Sequence, residues 1–281
     1  MSTIGRVFMA AGMLLLLFVA YQLWGTGLAE SRSQNALQND FHEAQQEAPA
    51  GPDYNPPPAP TGTAIAIIKI PRIGVEKTVV QGVGVEDLKK APGHYPNTPM
   101  PGQKGNASIA GHRTTYGAPF YNLDELKPDD KILVTTLQGS FEYDVIETKI
   151  VRPSDVSVLD ETDDDRLTLT TCHPRFSASS RMVVTAKLIG TALPVPPAPP
   201  ADAETKQELG LDDEAGLSGG TTARGPAILS GLAFAGVWLA AYIVRRQVGH
   251  KLIVWTVAAI PMALTLFVFF ENFARLLPAN V

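Results

Sequence analysis

LTLTTCHPRFSASSRMVV, residues 167–184, decides the predicted fold, because two segments of strand character flank a short polar loop in it. β-branched and apolar residues predominate in 166–172 and 180–189, as is typical of β-strands. The same stretch holds the only cysteine of the 281-residue chain, Cys172, and Arg181 follows nine residues later. A hairpin joining the two strands would bring Arg181 close to Cys172. Whether this thiol is a small buried hydrophobe or a nucleophile depends on its other neighbours.

Further short apolar runs lie upstream, separated by clusters of glycine and proline. They predict strands at 64–70, 76–83, 106–112, 131–137 and 140–151, and short helices at 85–91 and 119–126. Seven or eight strands with few helices favour a mainly β fold, either a closed barrel or a sandwich. Periodicity does not distinguish these two architectures.

Three uncharged apolar runs, at 7–24, 227–244 and 252–270, have the length that a membrane-spanning helix needs. The first run could instead be a cleaved signal peptide. It is longer than the usual apolar core of such a peptide, and we therefore favour an uncleaved anchor over residues 1–24. Pro261 within the third run predicts a kink, which membrane helices tolerate.

Positive charge predicts the orientation of these helices. RRQVGHK at 245–251 joins the second and third runs and should lie in the cytoplasm, as should Arg6. Three crossings satisfy both clues and put residues 25–226 outside. The expected location is the cell membrane, with a multi-pass topology and an extracytoplasmic central domain.

Composition divides the region between the membrane runs. Residues 25–61 form a polar stalk, for which a short helix or disorder both fit, followed by a proline-rich linker. A second linker, 191–226, is rich in Pro, Ala and Gly. The folded domain is therefore predicted at 62–190.

Several classes of function are disfavoured by the sequence. The net charge of −5 and the lack of a basic stripe argue against nucleic acid as a partner. Cys and His do not have zinc-ligand spacing, and the dinucleotide and P-loop fingerprints are absent, so we expect no cofactor and no metal. The acidic segment 160–166 is interpreted as a solvated loop, with a calcium site as the alternative.

A nucleophilic cysteine needs a base or a cation nearby, because an unperturbed thiol has a pKa of about 8.5. Two of the five histidines, His42 and His250, lie in the stalk and the cytoplasmic loop. His173 adjoins the cysteine, but successive strand residues point to opposite faces. His94, in the turn APGHYP, and His112, where a strand passes into a polar loop, are left as candidates.

The motifs around these residues resemble those of sortases. TLTTC at 168–172 is similar to the TLxTC signature, GHR at 111–113 matches the site of the sortase histidine, and Arg181 falls where the sortase arginine follows the cysteine. AGHRTTYGAPFYNLDEL, 110–126, looks most like class E sortases of actinobacteria. The resemblance covers about 62–190.

The resemblance implies a closed eight-stranded sortase-type β-barrel with short helices, and a cysteine transpeptidase. Such enzymes cleave an LPxTG-like sorting signal between Thr and Gly through a thioacyl intermediate. The implied roles are Cys172 as nucleophile, His112 as general acid/base, and Arg181 as the group that positions substrate and stabilises the oxyanion. Thr171 is implied to support substrate or oxyanion contacts, and Tyr116 to favour LAxTG-like signals.

The implied partners are surface proteins with C-terminal sorting signals, an amine acceptor from a cell-wall precursor or a pilin, and the membrane. Two features depart from the family pattern. Two apolar runs follow the domain, and DYNPPPAP at 53–60 lacks the Asp-Pro-aromatic triplet of a pilin-type lid. A different extracytoplasmic thiol hydrolase or transpeptidase, and a sortase-like scaffold that only binds, are the alternatives.

Overall fold

The computed structural model describes residues 2–49, 54–196, 224–247 and 251–274. The described residues form two compact units, one with residues 2–24, 224–247 and 251–274 and one with residues 25–49 and 54–196. Most of the predicted second linker, at 197–223, and part of the predicted cytoplasmic loop, at 248–250, lie outside the described residues.

The second unit contains a closed barrel, which decides between the two architectures that the sequence left open. Its order is β1-β2-β3-β4-β7-β8-β6-β5. The strands are β1 (Ala64–Ile70), β2 (Val75–Gln81), β3 (Gly93–His94), β4 (Asn106–Ala110), β5 (Lys131–Thr136), β6 (Gly139–Val151), β7 (Arg166–His173) and β8 (Ser180–Ile189). The mainly β barrel with short helices is thus confirmed.

The interior of the barrel is filled by alternate residues of each strand, because successive side chains point to opposite faces. On the strands that matter for the site, the buried apolar core takes Ala107 and Ile109 from β4, Leu167 and Leu169 from β7, and Met182 and Val184 from β8. The intervening residues of these strands therefore face away from the barrel interior.

Two of the helical elements of this unit lie beside the strands. α2 (Thr26–Glu47) occupies the first part of the predicted stalk, and α3 (Val85–Leu88) is a single turn after β2. α2 buries Leu37 and Phe41 against apolar residues of the first two strands. The segment predicted as a helix at 119–126 forms only a short 3-10 turn, Leu123–Glu125.

The first unit is helical. α1 (Thr3–Ala20) is followed by a π-helical turn, Tyr21–Gly25, and α4 (Arg224–Gln247) and α5 (Lys251–Ala274) lie near the C-terminus. Within the described residues, three helices are long and apolar enough to cross a bilayer, and they overlap the three apolar runs found in the sequence. Phe18 of α1 contacts Phe270 of α5, with 5.2 Å between ring centroids.

Candidate active site

The β7–β8 ladder puts Cys172 opposite Arg181. The two residues are Cα partners in the antiparallel register of these strands. Side chains that lie opposite each other in such a ladder share a face, with their Cβ atoms about 5 Å apart. The hairpin expected from the sequence therefore forms, and it brings the candidate cation beside the candidate nucleophile.

β4 approaches β7 from the other side, and the two strands are parallel. Ala110 is level with Thr170, and the Gly111 N–H donates to the Thr170 carbonyl at 3.0 Å. Continuing this register by two residues beyond the end of β4 would bring His112 level with Cys172. Adjacent strands are about 4.8 Å apart, so one strand spacing separates the two backbones here.

The alternation of side chains assigns these residues to one face. Cys172 packs with Ala110, Val83 and Leu88 in a small cluster outside the main core. His112 follows Ala110 by two residues, and Arg181 precedes the core residue Met182 by one. All three candidate side chains therefore belong to the outer face of three neighbouring strand ends.

The thiol is in an environment that opposes its ionisation. Cys172 is 1% exposed, and burial raises its pKa to about 11. The positive charges of Arg181 and Arg113 act in the opposite direction and favour the thiolate. At neutral pH and without substrate, Cys172 is therefore a neutral thiol. It would have to lose its proton for the sulfur to act as a nucleophile.

Arg181 and Thr171 are held by the backbone around the site. The Arg181 guanidinium donates to the carbonyls of Ala178 at 3.0 Å and Ser180 at 3.2 Å. The buried Thr171 hydroxyl donates to the Gly111 carbonyl at 2.7 Å. Thr171 thus ties the strand of the cysteine to the residue that precedes His112.

Arg113 was given no role from the sequence, although it stands within GHR. Only 2% of it is exposed, and it links the His112 loop to the cysteine strand. Its guanidinium donates to the Cys172 carbonyl at 3.5 Å and to the Tyr121 carbonyl at 2.7 Å, and it pairs with Asp124 at 2.9 Å. The sequence shows that Arg113 adjoins His112, but it does not show that the arginine is buried.

Tyr116 lies beside His112, with 5.0 Å between ring centroids and an interplanar angle of 38°. It is half-buried. Its position in the loop after β4 is compatible with a side chain that both packs on the imidazole and borders a substrate groove.

His94 is buried on β3. Its ring nitrogens lie 2.9 Å from the Gln81 side-chain oxygen and 2.9 Å from the Pro99 carbonyl oxygen. Burial lowers its pKa to about 4. These contacts fit a structural histidine that fastens the loop after β3 to β2.

Two carboxylates of the acidic segment 160–166 make contacts just before β7. Asp164 pairs with Arg166, and the Gly105 N–H donates to Asp165 at 3.0 Å. Among the described residues, no group of three or more His, Cys, Asp or Glu has the arrangement of a metal site.

Comparisons with known proteins agree with the motifs. A family model described as Sortase domain matches residues 68–189. Sortase SrtE1 of Streptomyces coelicolor is 33% identical over 202 residues, which are 66% of this chain and 56% of that relative's length. Sortase D of Bacillus subtilis is 33% identical over 150 residues, which are 52% of this chain and 71% of that relative.

Solved structures with similar sequences include two sortases. A Clostridium perfringens Sortase D5 transpeptidase is 34% identical, with 58% of this chain and 99% of that chain covered and a TM-score of 0.47. Sortase E from Streptomyces avermitilis is 38% identical, with coverages of 47% and 91% and a TM-score of 0.43.

Sortase SrtE2 of Streptomyces coelicolor, 26% identical over 211 residues, joins SrtE1 among the matches, in agreement with the predicted likeness to class E. At 33% identity, the match to Sortase D spans 71% of that relative, which is more than two thirds of its length. The chain therefore belongs to the sortase family, whose members are cysteine transpeptidases.

Proposed function

We propose that this protein is a membrane-anchored sortase that cleaves an LPxTG- or LAxTG-like sorting signal between Thr and Gly. It then joins the surface protein to an amine of a cell-wall precursor or a pilin. One observation carries the proposal: in a chain of the sortase family, the strand of the only cysteine lies between the strand that leads to His112 and the strand whose second residue is Arg181.

In the first half-reaction, the Cys172 sulfur attacks the threonine carbonyl carbon. Because burial keeps the thiol protonated at neutral pH, His112 takes the proton as the S–C bond forms. The tetrahedral intermediate collapses, and the C–N bond to glycine breaks. His112 gives its proton to the leaving amine, and a thioester remains on Cys172.

In the second half-reaction, an acceptor amine attacks the thioester carbonyl. His112 removes a proton from this amine, the C–S bond breaks, and the sulfur recovers a proton. A new amide bond joins the two partners. Water in place of the amine would give hydrolysis, and the product therefore distinguishes a transpeptidase from a thiol hydrolase.

Arg181 stabilises the developing oxyanion and positions the substrate backbone. Its guanidinium is permanently charged and planar, which suits a carbonyl oxygen that gains negative charge. Its contacts with the carbonyls of Ala178 and Ser180 hold the group in place before substrate arrives. Such preorganisation avoids rearrangement during the reaction.

Thr171 and Tyr116 support this chemistry in different ways. The hydroxyl of Thr171 holds the Gly111 backbone and thereby supports the position of His112. Tyr116 borders the groove and favours a small residue at the second position of the sorting signal. Arg113 joins these residues by clamping the His112 loop to the Cys172 carbonyl.

The three apolar helices among the described residues support a location in the cell membrane. The positively charged segment 245–251 lies in the cytoplasm, and the barrel lies outside. This location gives the enzyme access to exported proteins and to cell-wall amines.

The test uses the full-length protein in detergent with fluorogenic LAxTG and LPxTG peptides, with and without an amine acceptor. We expect cleavage, and a ligated product when the acceptor is present. Cys172→Ala should abolish both reactions and the thioacyl adduct seen by mass spectrometry. His112→Ala and Arg181→Ala should each lower kcat/KM by about 10²–10⁴-fold, the range for loss of a general acid/base or an oxyanion donor.

Exposed residues of the same types provide matched controls. His42→Ala and Arg152→Ala change a histidine and an arginine outside the site and should retain wild-type turnover. Peptide binding without cleavage by the wild type would instead indicate a scaffold. Cleavage that persists in Cys172→Ala would contradict the assigned nucleophile.

A further inference from the structure

The loop that follows His112 has an unusual backbone. Tyr116, Gly117 and Ala118 are consecutive residues with positive φ, at 50°, 73° and 43°. Left-handed backbone is unfavourable for residues with a Cβ, and such a loop persists only where surrounding contacts determine it. The contacts that hold this loop therefore bear on the position of the tyrosine next to His112.

Two buried polar residues of α2 supply such contacts. Thr26 and Glu30 are each 1% exposed and lie one helical turn apart, on the same side of the helix. The Tyr116 N–H donates to the Thr26 hydroxyl oxygen at 3.2 Å. A Cβ at Gly117 would lie only 2.3 Å from a carboxylate oxygen of Glu30, so a side chain at this position would require the Glu30 carboxylate to move.

The helix is fastened to the barrel next to these contacts. Lys77 of β2 donates to Glu30 at 2.6 Å. Burial raises the pKa of the Glu30 carboxyl, and the hydrogen bond and charge of Lys77 act in the opposite direction. One turn later, Gln34 donates to the Thr78 carbonyl at 3.0 Å and accepts from the Thr78 N–H at 2.8 Å. α2 is thus positioned by β2 at two successive turns.

The loop at 116–118 connects α2 to the candidate site. The Tyr116 ring packs on the His112 ring at 5.0 Å, and the Phe120 N–H donates to the His112 carbonyl at 3.2 Å. A continuous set of contacts therefore runs from β2 through Glu30 and Thr26 to Tyr116 and then to the imidazole.

We propose that Thr26 and Glu30 are positioning residues for transpeptidation, and that α2 sets the placement of Tyr116 and His112 through the loop at 116–118. This inference rests on the proposed role of His112 as general acid/base. In this proposal α2 contributes to the geometry of the site and does not only separate the anchor from the barrel.

The experiment compares isosteric and conservative variants in the full-length protein in detergent. Thr26→Val removes the hydroxyl that accepts from Tyr116, Thr26→Ser retains it, and Glu30→Gln removes the charge. Glu43→Gln, at an exposed position of the same helix, is the matched control. Each protein is assayed for kcat, KM and the pH dependence of kcat, and its thermal unfolding is followed by circular dichroism.

We expect Thr26→Val and Glu30→Gln to lower kcat by about 10-fold with little change in KM, because a small displacement of a catalytic group slows chemistry more than binding. The pH profile should shift in both variants, because the surroundings of the imidazole change. Thr26→Ser should restore most of kcat, and Glu43→Gln should match the wild type. Wild-type kcat and pH profile in Thr26→Val would overturn the proposal, as would equal losses in Thr26→Ser and Thr26→Val.

A second readout does not depend on turnover. With isotope-labelled histidine, the His112 ring resonances should move in Thr26→Val and Glu30→Gln and stay in place in Glu43→Gln. If the wild type neither cleaves nor ligates, the proposed function fails. The His112 resonances alone then show whether α2 is coupled to His112. If the wild type is active and the His112 resonances are the same in all variants, the coupling fails and the proposed function stands.

Discussion

At the scale of the residue, Cys172 is subject to opposing influences. Burial favours the neutral thiol, and the nearby guanidinium groups of Arg181 and Arg113 favour the thiolate. Burial is the larger effect and sets the pKa near 11. A nucleophile in this state depends on a base at the moment of attack, which gives His112 a necessary part in the proposed mechanism.

The reactivity of the thiol provides a test of this balance. We expect the rate of Cys172 alkylation by iodoacetamide to rise with pH toward a midpoint near 11 in the absence of substrate. Because a nearby cation favours the thiolate, Arg181→Gln should move the midpoint upward, and Arg113→Gln should move it upward by less. The exposed Arg152→Gln should leave it unchanged, and a midpoint near 7 in the wild type would contradict the buried-thiol description.

At the scale of the element, the two-residue strand β3 closes the barrel between β2 and β4. Its His94 is buried and held between Gln81 and the carbonyl of Pro99. Protonating this ring in place costs free energy because burial disfavours the charged form. β3 therefore makes this part of the barrel sensitive to acid.

The acid sensitivity can be measured by chemical denaturation of the full-length protein, followed by circular dichroism. The pKa of His94 is about 4 in the folded state and 6.5 for the unperturbed group, so its contribution to stability is present above pH 6.5 and is lost as the pH falls toward 4. The stability advantage of the wild type over His94→Gln should shrink by about 3 kcal/mol over this range. The exposed His42→Gln should follow the wild type, and parallel curves for wild type and His94→Gln would contradict the prediction.

The elements that the sequence predicted well are those with a strong local pattern. The β-branched runs at 64–70 and 166–172 became β1 and β7 within one residue at either end. β3 was not located, because two residues in a turn-like segment carry no periodicity and become a strand only through their neighbours on both sides.

The packing of α2 could not be predicted for a different reason. Thr26 and Glu30, which are polar, form part of its buried face together with Leu37 and Phe41. An apolar stripe is the signal by which a packed helix is recognised, and buried polar residues weaken that signal. The candidate site is named from motifs that are short and local, and its assignment stays a prediction. The burial of Arg113 becomes visible only in the fold.

At the scale of the whole molecule, the three apolar helices and the barrel belong to two separate compact units of one chain. The charge pattern predicts that the segment joining α4 and α5 faces the cytoplasm. The barrel would then face the opposite side of the membrane, where sorting signals and cell-wall amines are found.

Single engineered cysteines in a Cys172→Ala background test this topology. Glu43→Cys lies on α2 and Gln247→Cys at the end of α4, and both native side chains are exposed. In intact cells, a membrane-impermeant maleimide should label Glu43→Cys but should label Gln247→Cys only after lysis. Labelling of Gln247→Cys in intact cells would reverse the proposed orientation.

The parallel ladder between β4 and β7 has a consequence for biogenesis. It joins segments whose hydrogen-bonded residues, such as Thr171 and Gly111, are 60 positions apart, so the segment that leads to His112 is joined to the cysteine strand only when β7 is added to the barrel. In the proposed mechanism, a nascent or partly unfolded chain has an exposed thiol without its base or its guanidinium in position. Completion of the barrel would then be the step that assembles the proposed site, and an incomplete copy would lack the groups needed for acyl transfer from a sorting signal.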